Sequence, residues 1–303
     1  MNHTNISLNK DFLFKATLIV VLWSTPPLVS RLWVGSGVFP GFFFGFLRYL
    51  TGAITLFVLV LINKKIYILI QTLVNNIVGV LVCVFFLCLM ILGQNFSTLY
   101  ILGSTSSVLL NFNPTLIYLV APMLFDDEKY SKYKTLGVFI ASVGIGIVFF
   151  ASLETGASPI SNDSIFGYFL GFLSGLAWAG YSISIKHFFE KQNSHEVTTL
   201  NLTIAAIILL FISLSMEKIP PLESYTLSSL WGIVLIGVGA AAIAFTLYLS
   251  LVQSHGAITA GNIQFLIPLV SLLFAWVFLG EFSVFTLVGG ILCALGVGLV
   301  TYQ

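Results

Sequence analysis

Runs of about twenty apolar residues follow one another along nearly the whole 303-residue chain, separated only by short polar breaks. A helix needs about 20 such residues to cross the hydrocarbon core of a bilayer. Measured against that length, the chain divides into segments at 12–33, 41–62, 76–98, 103–125, 134–152, 165–186, 198–216, 228–252, 257–279 and 284–302. The expected fold is therefore an all-α membrane protein with ten transmembrane helices. The connections are too short to hold an inserted soluble domain. The first run is long and has no small-residue cleavage site, which argues against a cleavable signal peptide.

Composition agrees. Hydrophobic residues make up 58% of the chain and charged ones 8%, where a soluble domain carries roughly 25% charged residues. A net charge of +1 excludes a basic nucleic-acid binder, and 15% aromatics exclude disorder. Cys83, Cys88 and Cys293 have no metal-ligand spacing and read as buried hydrophobes, so neither metal nor cofactor is expected.

The positive charges orient the bundle. With the N-terminus inside, the inner segments hold Lys10, Lys15, Lys64, Lys65, Lys129, Lys132, Lys134, Lys186 and Lys191. The outer side then holds Arg31 and Lys218, while Arg48 lies within a span. That asymmetry is the positive-inside pattern and places both termini in the cytoplasm, with the chain in the cell membrane.

The two halves also match each other. Trp23 precedes Arg31 by eight residues, and Trp178 precedes Lys186 by eight. Pro114 precedes Asp127 by thirteen, and Pro268 precedes Glu281 by thirteen. Gly137, Gly144 and Gly146 share their spacing with Gly289, Gly296 and Gly298. Residues 12–152 and 165–302 thus form two five-helix repeats. An odd number of spans per repeat inverts one half relative to the other, the plan of many secondary transporters.

These residues resemble the EamA-type domain of the drug/metabolite transporter superfamily, in two tandem copies. The resemblance rests on Leu176-Ala177-Trp178-Ala179, Arg48, the paired Pro114 and Pro268, Leu279-Gly280-Glu281, and the glycine-rich fifth and tenth spans. The first copy departs from it, with Phe125-Asp126-Asp127 where Gly-Glu is usual and Ser24-Thr25-Pro26-Pro27 after its tryptophan. The resemblance implies export of amino acids, metabolites or drugs, and a structural end-cap or gating contact for Asp127 and Glu281. The other reading of those two is a solvated loop anion.

Polar and aromatic residues within the spans are the candidate site. Ser107, Asn111, Pro114 and Tyr118 fall on one helical face, and Ser174, Trp178, Tyr181 and Ser182 on another. Asn262 and Gln264 serve the ninth span and Trp23 the first. Trp23, Asn111, Tyr118, Trp178, Tyr181, Asn262 and Gln264 are the expected substrate contacts. Interhelical hydrogen bonding is the plainer alternative for each. Arg48, Pro26, Pro114 and Pro268 are expected to act in structure or gating: a charge within a span needs a partner, and an intrahelical proline frees a carbonyl. The Gly167, Gly171 and Gly175 ridge suits close helix packing and leaves a homo-oligomer open.

Catalytic signatures are missing from the spans. The four histidines fall in loops or at span ends, and the chain has no HExxH and no P-loop. No carboxylate falls at mid-depth, which argues against carboxylate-based proton coupling. The expected function is a non-enzymatic secondary transporter of small organic solutes working by alternating access. A uniport or uptake carrier for an organic cation or zwitterion is the alternative, and a channel a more distant one. The partners are a small-molecule substrate and the lipid bilayer.

Overall fold

A computed structural model describes residues 10–33, 38–97, 99–101, 103–154, 162–221, 223, 225–280 and 284–301. Every secondary-structure element among them is helical. The α-helices are α1 (Lys10–Trp23), α2 (Thr25–Trp33), α3 (Gly41–Ile62), α4 (Ile66–Asn75), α5 (Ile77–Ser97), α6 (Gly103–Leu110) and α7 (Asn113–Leu124). They continue with α8 (Lys132–Glu154), α9 (Asn162–Phe189), α10 (Ser194–Met216) and α11 (Leu227–Val234). A π-helical stretch, Leu235–Ile243, leads into α12 (Ala244–Asn262), and a 3-10 turn, Ile263–Leu266, leads into α13 (Ile267–Leu279) and α14 (Val284–Thr301).

Eight helical stretches among the described residues are long and apolar enough to cross a membrane. One of them, Leu227–Phe278, has 52 residues. Its rise would be about 78 Å as a straight helix, more than twice a hydrocarbon core of about 30 Å. Gly256 interrupts it with φ 84°, a left-handed conformation that suits glycine. The interruption falls at the polar break expected over 253–256. Large apolar side chains such as Phe14, Phe150, Phe169, Phe211, Trp231 and Val277 point outward, as they do in a protein whose solvent is lipid.

The prolines mark places where one helical element gives way to the next. Pro26, Pro114 and Pro268 are each the second residue of a helix: α2, α7 and α13. In a first turn the missing N–H has no intrahelical partner to lose, which suits Pro26 at the start of α2, whereas Pro114 and Pro268 still fall inside the longer helical stretches Thr105–Leu124 and Leu227–Phe278. The first and fourth expected spans are accordingly each two helices, joined at Ser24 and at Asn111–Phe112. The short α4 fills part of a connection expected to be a loop.

Glycine sets the closest helix contact. A Cβ on Gly137 would lie 2.6 Å from the Gly296 carbonyl oxygen, and one on Gly144 would lie 2.5 Å from that of Gly289. Helices α8 and α14 therefore touch backbone to backbone. A Cβ on Gly146 or Gly298, in contrast, would meet nothing within 4 Å. The Gly167, Gly171 and Gly175 ridge of α9 packs inside the chain, against Tyr100, Leu109 and the Leu109 carbonyl.

Carboxylates fasten both ends of the bundle. Glu217 accepts the amide N–H groups of Phe42 and Phe43, each at 2.8 Å, at the start of α3. Those amides are among the unpaired donors of a helix N-terminus, where an anion is favoured. Glu128 does the same beyond Gly256, accepting the N–H groups of Ala257 and Ile258. The side chain of Lys186 donates to the same Glu128 oxygen at 2.9 Å and also to Asp127. Asp127 is thus paired with Lys186 while its side chain stays 64% exposed. Its expected counterpart Glu281, and the side chain of Arg31, lie outside the described residues.

Candidate functional site

The middle of the bundle holds an aromatic cluster drawn from α1, α3, α9 and α12. Trp178 stacks on Tyr181 one helical turn away, with ring centroids 5.2 Å apart and planes 27° apart. The edge of Trp23 meets Trp178 at 5.3 Å, and Phe245 meets Trp23 at 5.6 Å and Trp178 at 5.4 Å. Tyr248 lies 5.1 Å from Trp23 and 5.7 Å from Trp178. Tyr49 of α3 closes the group against Phe245 at 6.0 Å. All six rings are buried. Such edge and offset contacts suit the ring quadrupoles.

Local backbone geometry aims these rings. Phe245 and Tyr248 come directly after the π-helical Leu235–Ile243. The wider turn of that stretch changes which face of the helix they occupy relative to α11. The indole N–H of Trp23 donates to the Ala240 carbonyl of the same stretch at 3.0 Å. Gly237 and Gly239 make room, since a Cβ there would meet Thr51 and Leu22.

A polar chain runs from this cluster. The hydroxyl groups of Ser182 and Tyr248 are hydrogen-bonded at 2.7 Å. The Gln264 amide donates to Tyr248 at 3.2 Å, and Asn113 donates to Gln264 at 3.2 Å. On the other side, Asn201 of α10 donates to the Tyr181 hydroxyl at 3.4 Å. The chain crosses from α9 through α12 and the 3-10 turn to α7, joining the two halves of the sequence.

Several buried polar atoms have no hydrogen-bond partner. Among the described residues these are Arg48 Nε, Tyr49 OH, Asn113 Oδ1, Trp178 Nε1, both Glu196 oxygens, Thr198 Oγ1, Asn201 Oδ1 and Asn262 Oδ1. Leaving one such group unsatisfied costs about 1–3 kcal/mol. The guanidinium of Arg48 lies 5.7 Å from the Tyr49 ring.

The expected contacts do not all converge. Trp23, Trp178 and Tyr181 share the cluster, Gln264 is in the polar chain, and Asn262 is buried just before it. Asn111 donates back to the Ser107 carbonyl at 2.8 Å within its own segment. Tyr118 turns toward Thr135 and the Tyr130 ring instead of the cluster. Sequence reasoning passes over Tyr49, Asn113, Asn201, Phe245 and Tyr248. It also places Glu196 outside the seventh span, whereas that residue lies in the first turn of α10 and is fully buried. Lys65 Nζ is 3.8 Å from its Oε1.

Comparison with known proteins finds similarities in sequence and in fold. The EamA-like transporter family matches residues 165–302. A Bacillus subtilis (strain 168) protein named "Uncharacterized transporter YoaV" is 23% identical over 287 residues, covering 94% of each chain. "Uncharacterized transporter YvbV" of the same organism is 24% identical over 193 residues, covering 64% of this chain and 61% of its own. A crystal structure with 18% identity superposes with a TM-score of 0.77, covering 95% of this chain and 96% of that one. That likeness establishes a shared fold.

Proposed function

We propose that the chain, whose residues 165–302 match the EamA-like transporter family, is a carrier of the drug/metabolite transporter superfamily moving small organic solutes by alternating access, in the direction of export. The observation that carries this reading is the central cluster, in which aromatic faces and unpartnered polar atoms from both halves meet in the middle of the bundle. Carrier sites lie there, at the interface of the repeats and near the bilayer midplane.

The reading takes ten crossings in two inverted five-helix repeats, 12–152 and 165–302. The split pair α1–α2 serves as the first crossing, and Gly256 divides Leu227–Phe278 into the eighth and ninth. One contact supports the inverted symmetry. The repeat pairs Gly137 with Gly289 and Gly144 with Gly296. Exchanging the partners turns the Gly137–Gly296 contact into Gly289–Gly144, which is the other contact made. Lysine placement supports cytoplasmic termini and a cell-membrane location. On that orientation the Lys186–Asp127–Glu128 cluster closes the cytoplasmic end. Opening that end to the cytoplasm would separate α9 from the 125–131 segment. Trp23, Trp178, Tyr181, Asn262 and Gln264 serve as substrate contacts, joined by Asn113, Asn201 and Tyr248. Asn111 and Tyr118 serve at the edges of the path.

Counterflow in proteoliposomes tests the reading. Preloading with unlabelled solute should drive saturable, transient accumulation of the labelled form for members of one chemical class. Conductance without saturation or counterflow would establish a channel instead.

A further inference from the structure

A cleft of about 570 Å³ opens where the 125–131 segment turns into α8, lined by Tyr130, Ser131, Lys132, Thr135, Leu136 and Phe139. Lys132, Leu136 and Phe139 stand at i, i+4 and i+7 and so share one face of the helix. The helix rises about 10 Å between the first and the last of them. Lys132 also opens the membrane-length stretch Lys132–Phe150. The cleft therefore begins at the membrane face, with a cation, and runs inward over apolar side chains that are 50% and 65% exposed at Leu136 and Phe139. Its other wall is tied to α7: the Tyr130 hydroxyl donates to the Leu119 carbonyl at 2.8 Å, and Thr135 is hydrogen-bonded to Tyr118.

The charge beside this cleft is uncompensated. Lys15, Lys65 and Lys186 each pair with a carboxylate. Lys129, Lys132 and Lys134, within six residues of one another, have no ion pair among the described residues. Of the acids just before them, Asp127 and Glu128 are already matched by Lys186, so only Asp126 stands against the three lysines. Lys134 lies about 200° round the helix from Lys132, and neither it nor Lys129 lines the cleft. Those two act through the local potential, and Lys132 is the contact.

From this arrangement we infer that the cleft seats one anionic phospholipid, its phosphate against the Lys132 ammonium and the start of an acyl chain along Leu136 and Phe139. A basic pocket at the membrane face selects negative headgroups in this way. The apolar floor gives a free phosphate nothing to bury, and a zwitterionic lipid carries no net charge to answer the lysines. The inference requires that α8 cross the membrane and is independent of what the protein carries.

Dioleoyl phosphatidylglycerol and dioleoyl phosphatidylcholine share their chains and differ in headgroup charge. Each is titrated into the purified full-length protein in detergent, and bound lipid is counted by native mass spectrometry. Phosphatidylglycerol should bind first, as a single copy, and more tightly than phosphatidylcholine. Lys132→Gln should weaken it about five-fold and leave phosphatidylcholine unchanged, while Lys132→Arg, which keeps the charge, should bind as the wild type does. Lys191 is an exposed lysine of the segment that follows α9, at the end of the bundle where Lys186 meets Asp127. Lys191→Gln should have no effect. Glycerol phosphate, a headgroup without chains, should not displace the lipid at matched concentration. Equal binding of the two lipids would overturn the inference. So would equal losses in Lys132→Gln and Lys191→Gln, which would mean a diffuse surface field, and so would displacement by glycerol phosphate, which would mean a site for free phosphate. Each of these results leaves the carrier reading, tested by counterflow, where it stands.

Discussion

Lys186 Nζ lies 2.9 Å from Glu128 Oε1, and both side chains are sealed from solvent at 3% and 5% exposure. The same oxygen accepts the Ala257 amide just past the left-handed Gly256. One carboxylate thus joins α9, the 125–131 segment and the restart of α12. Removing one partner of a buried pair leaves an uncompensated charge. Glu128→Ala should therefore destabilise the protein by about 3–5 kcal/mol, read as a lower unfolding temperature in detergent. Glu128→Gln keeps a carbonyl acceptor for the amides and should lose less. Equal losses for Ala and Gln would show that the charge pairing contributes little.

The backbone contact between α8 and α14 predicts a sharp contrast between neighbouring glycines. Gly144→Ala would force a Cβ to within 2.5 Å of the Gly289 carbonyl oxygen. Overpacking of this kind costs about 1–3 kcal/mol. Gly146→Ala meets open space and should be neutral or slightly stabilising, since alanine is the better helix former. Thermal unfolding of the two variants separates them. Equal shifts would show that the close contact contributes nothing of its own.

Tyr248 connects rings to amides through its hydroxyl. Tyr248→Phe keeps the ring contacts and removes two hydrogen bonds, each worth about 0.5–1.5 kcal/mol. If the polar chain forms part of the solute site, the apparent affinity in counterflow should fall about five-fold or more. The fold should survive, as judged by elution as a single species. Unchanged affinity would confine the network to structure.

Trp23 makes a comparable distinction. Its indole N–H holds the Ala240 carbonyl at 3.0 Å while its ring packs in the cluster. Trp23→Phe retains an aromatic ring and gives up that bond, so stability should fall by about 1 kcal/mol. Trp23→Ala empties the site and should cost about 3–5 kcal/mol. Chemical denaturation in mixed micelles would rank them, and similar losses would deny the ring its share.

The sidedness of the bundle can be read by thiol labelling. Cys83, Cys88 and Cys293 are all buried and unpaired, so they should give little background to a membrane-impermeant maleimide. In intact cells, cysteine at Lys218 should react and cysteine at Lys191 should not. In inverted vesicles the order should reverse. The opposite result would turn the proposed topology over.

How far the sequence reveals this site depends on the regularity of the chain. Trp178 and Tyr181 stand out because α9 is an uninterrupted helix, so spacing alone puts them on one face. Periodicity cannot be carried across a break. The face drawn through Ser107, Asn111 and Tyr118 spans the junction at Asn111–Phe112, and beyond it Asn113, not Asn111, bonds to Gln264. Phe245 and Tyr248 are hidden for a related reason, since the π-helical turn before them shifts the helical phase. Glu196 escapes because hydropathy starts an apolar span only after its last charge. The helix begins at Ser194 and buries the carboxylate. The exchange of glycine contacts between α8 and α14 is foreshadowed by the spacing of those glycines, which needs no assumption about where helices bend.

The nine-residue stretch Leu235–Ile243 has one more consequence. Its small residues, Gly237, Gly239, Ala240, Ala241 and Ala242, are held small by close or buried packing, and the length of the stretch is fixed as well, by the two aromatic rings beyond it. Deleting a single residue there would rewind it toward an ordinary α-helix and rotate the rest of the helix by about 100°. Phe245 and Tyr248 would swing off the cluster together. The helix is thus constrained twice, in the size of its side chains and in its count of residues, and the second constraint acts at a distance, on rings that the stretch itself does not contain.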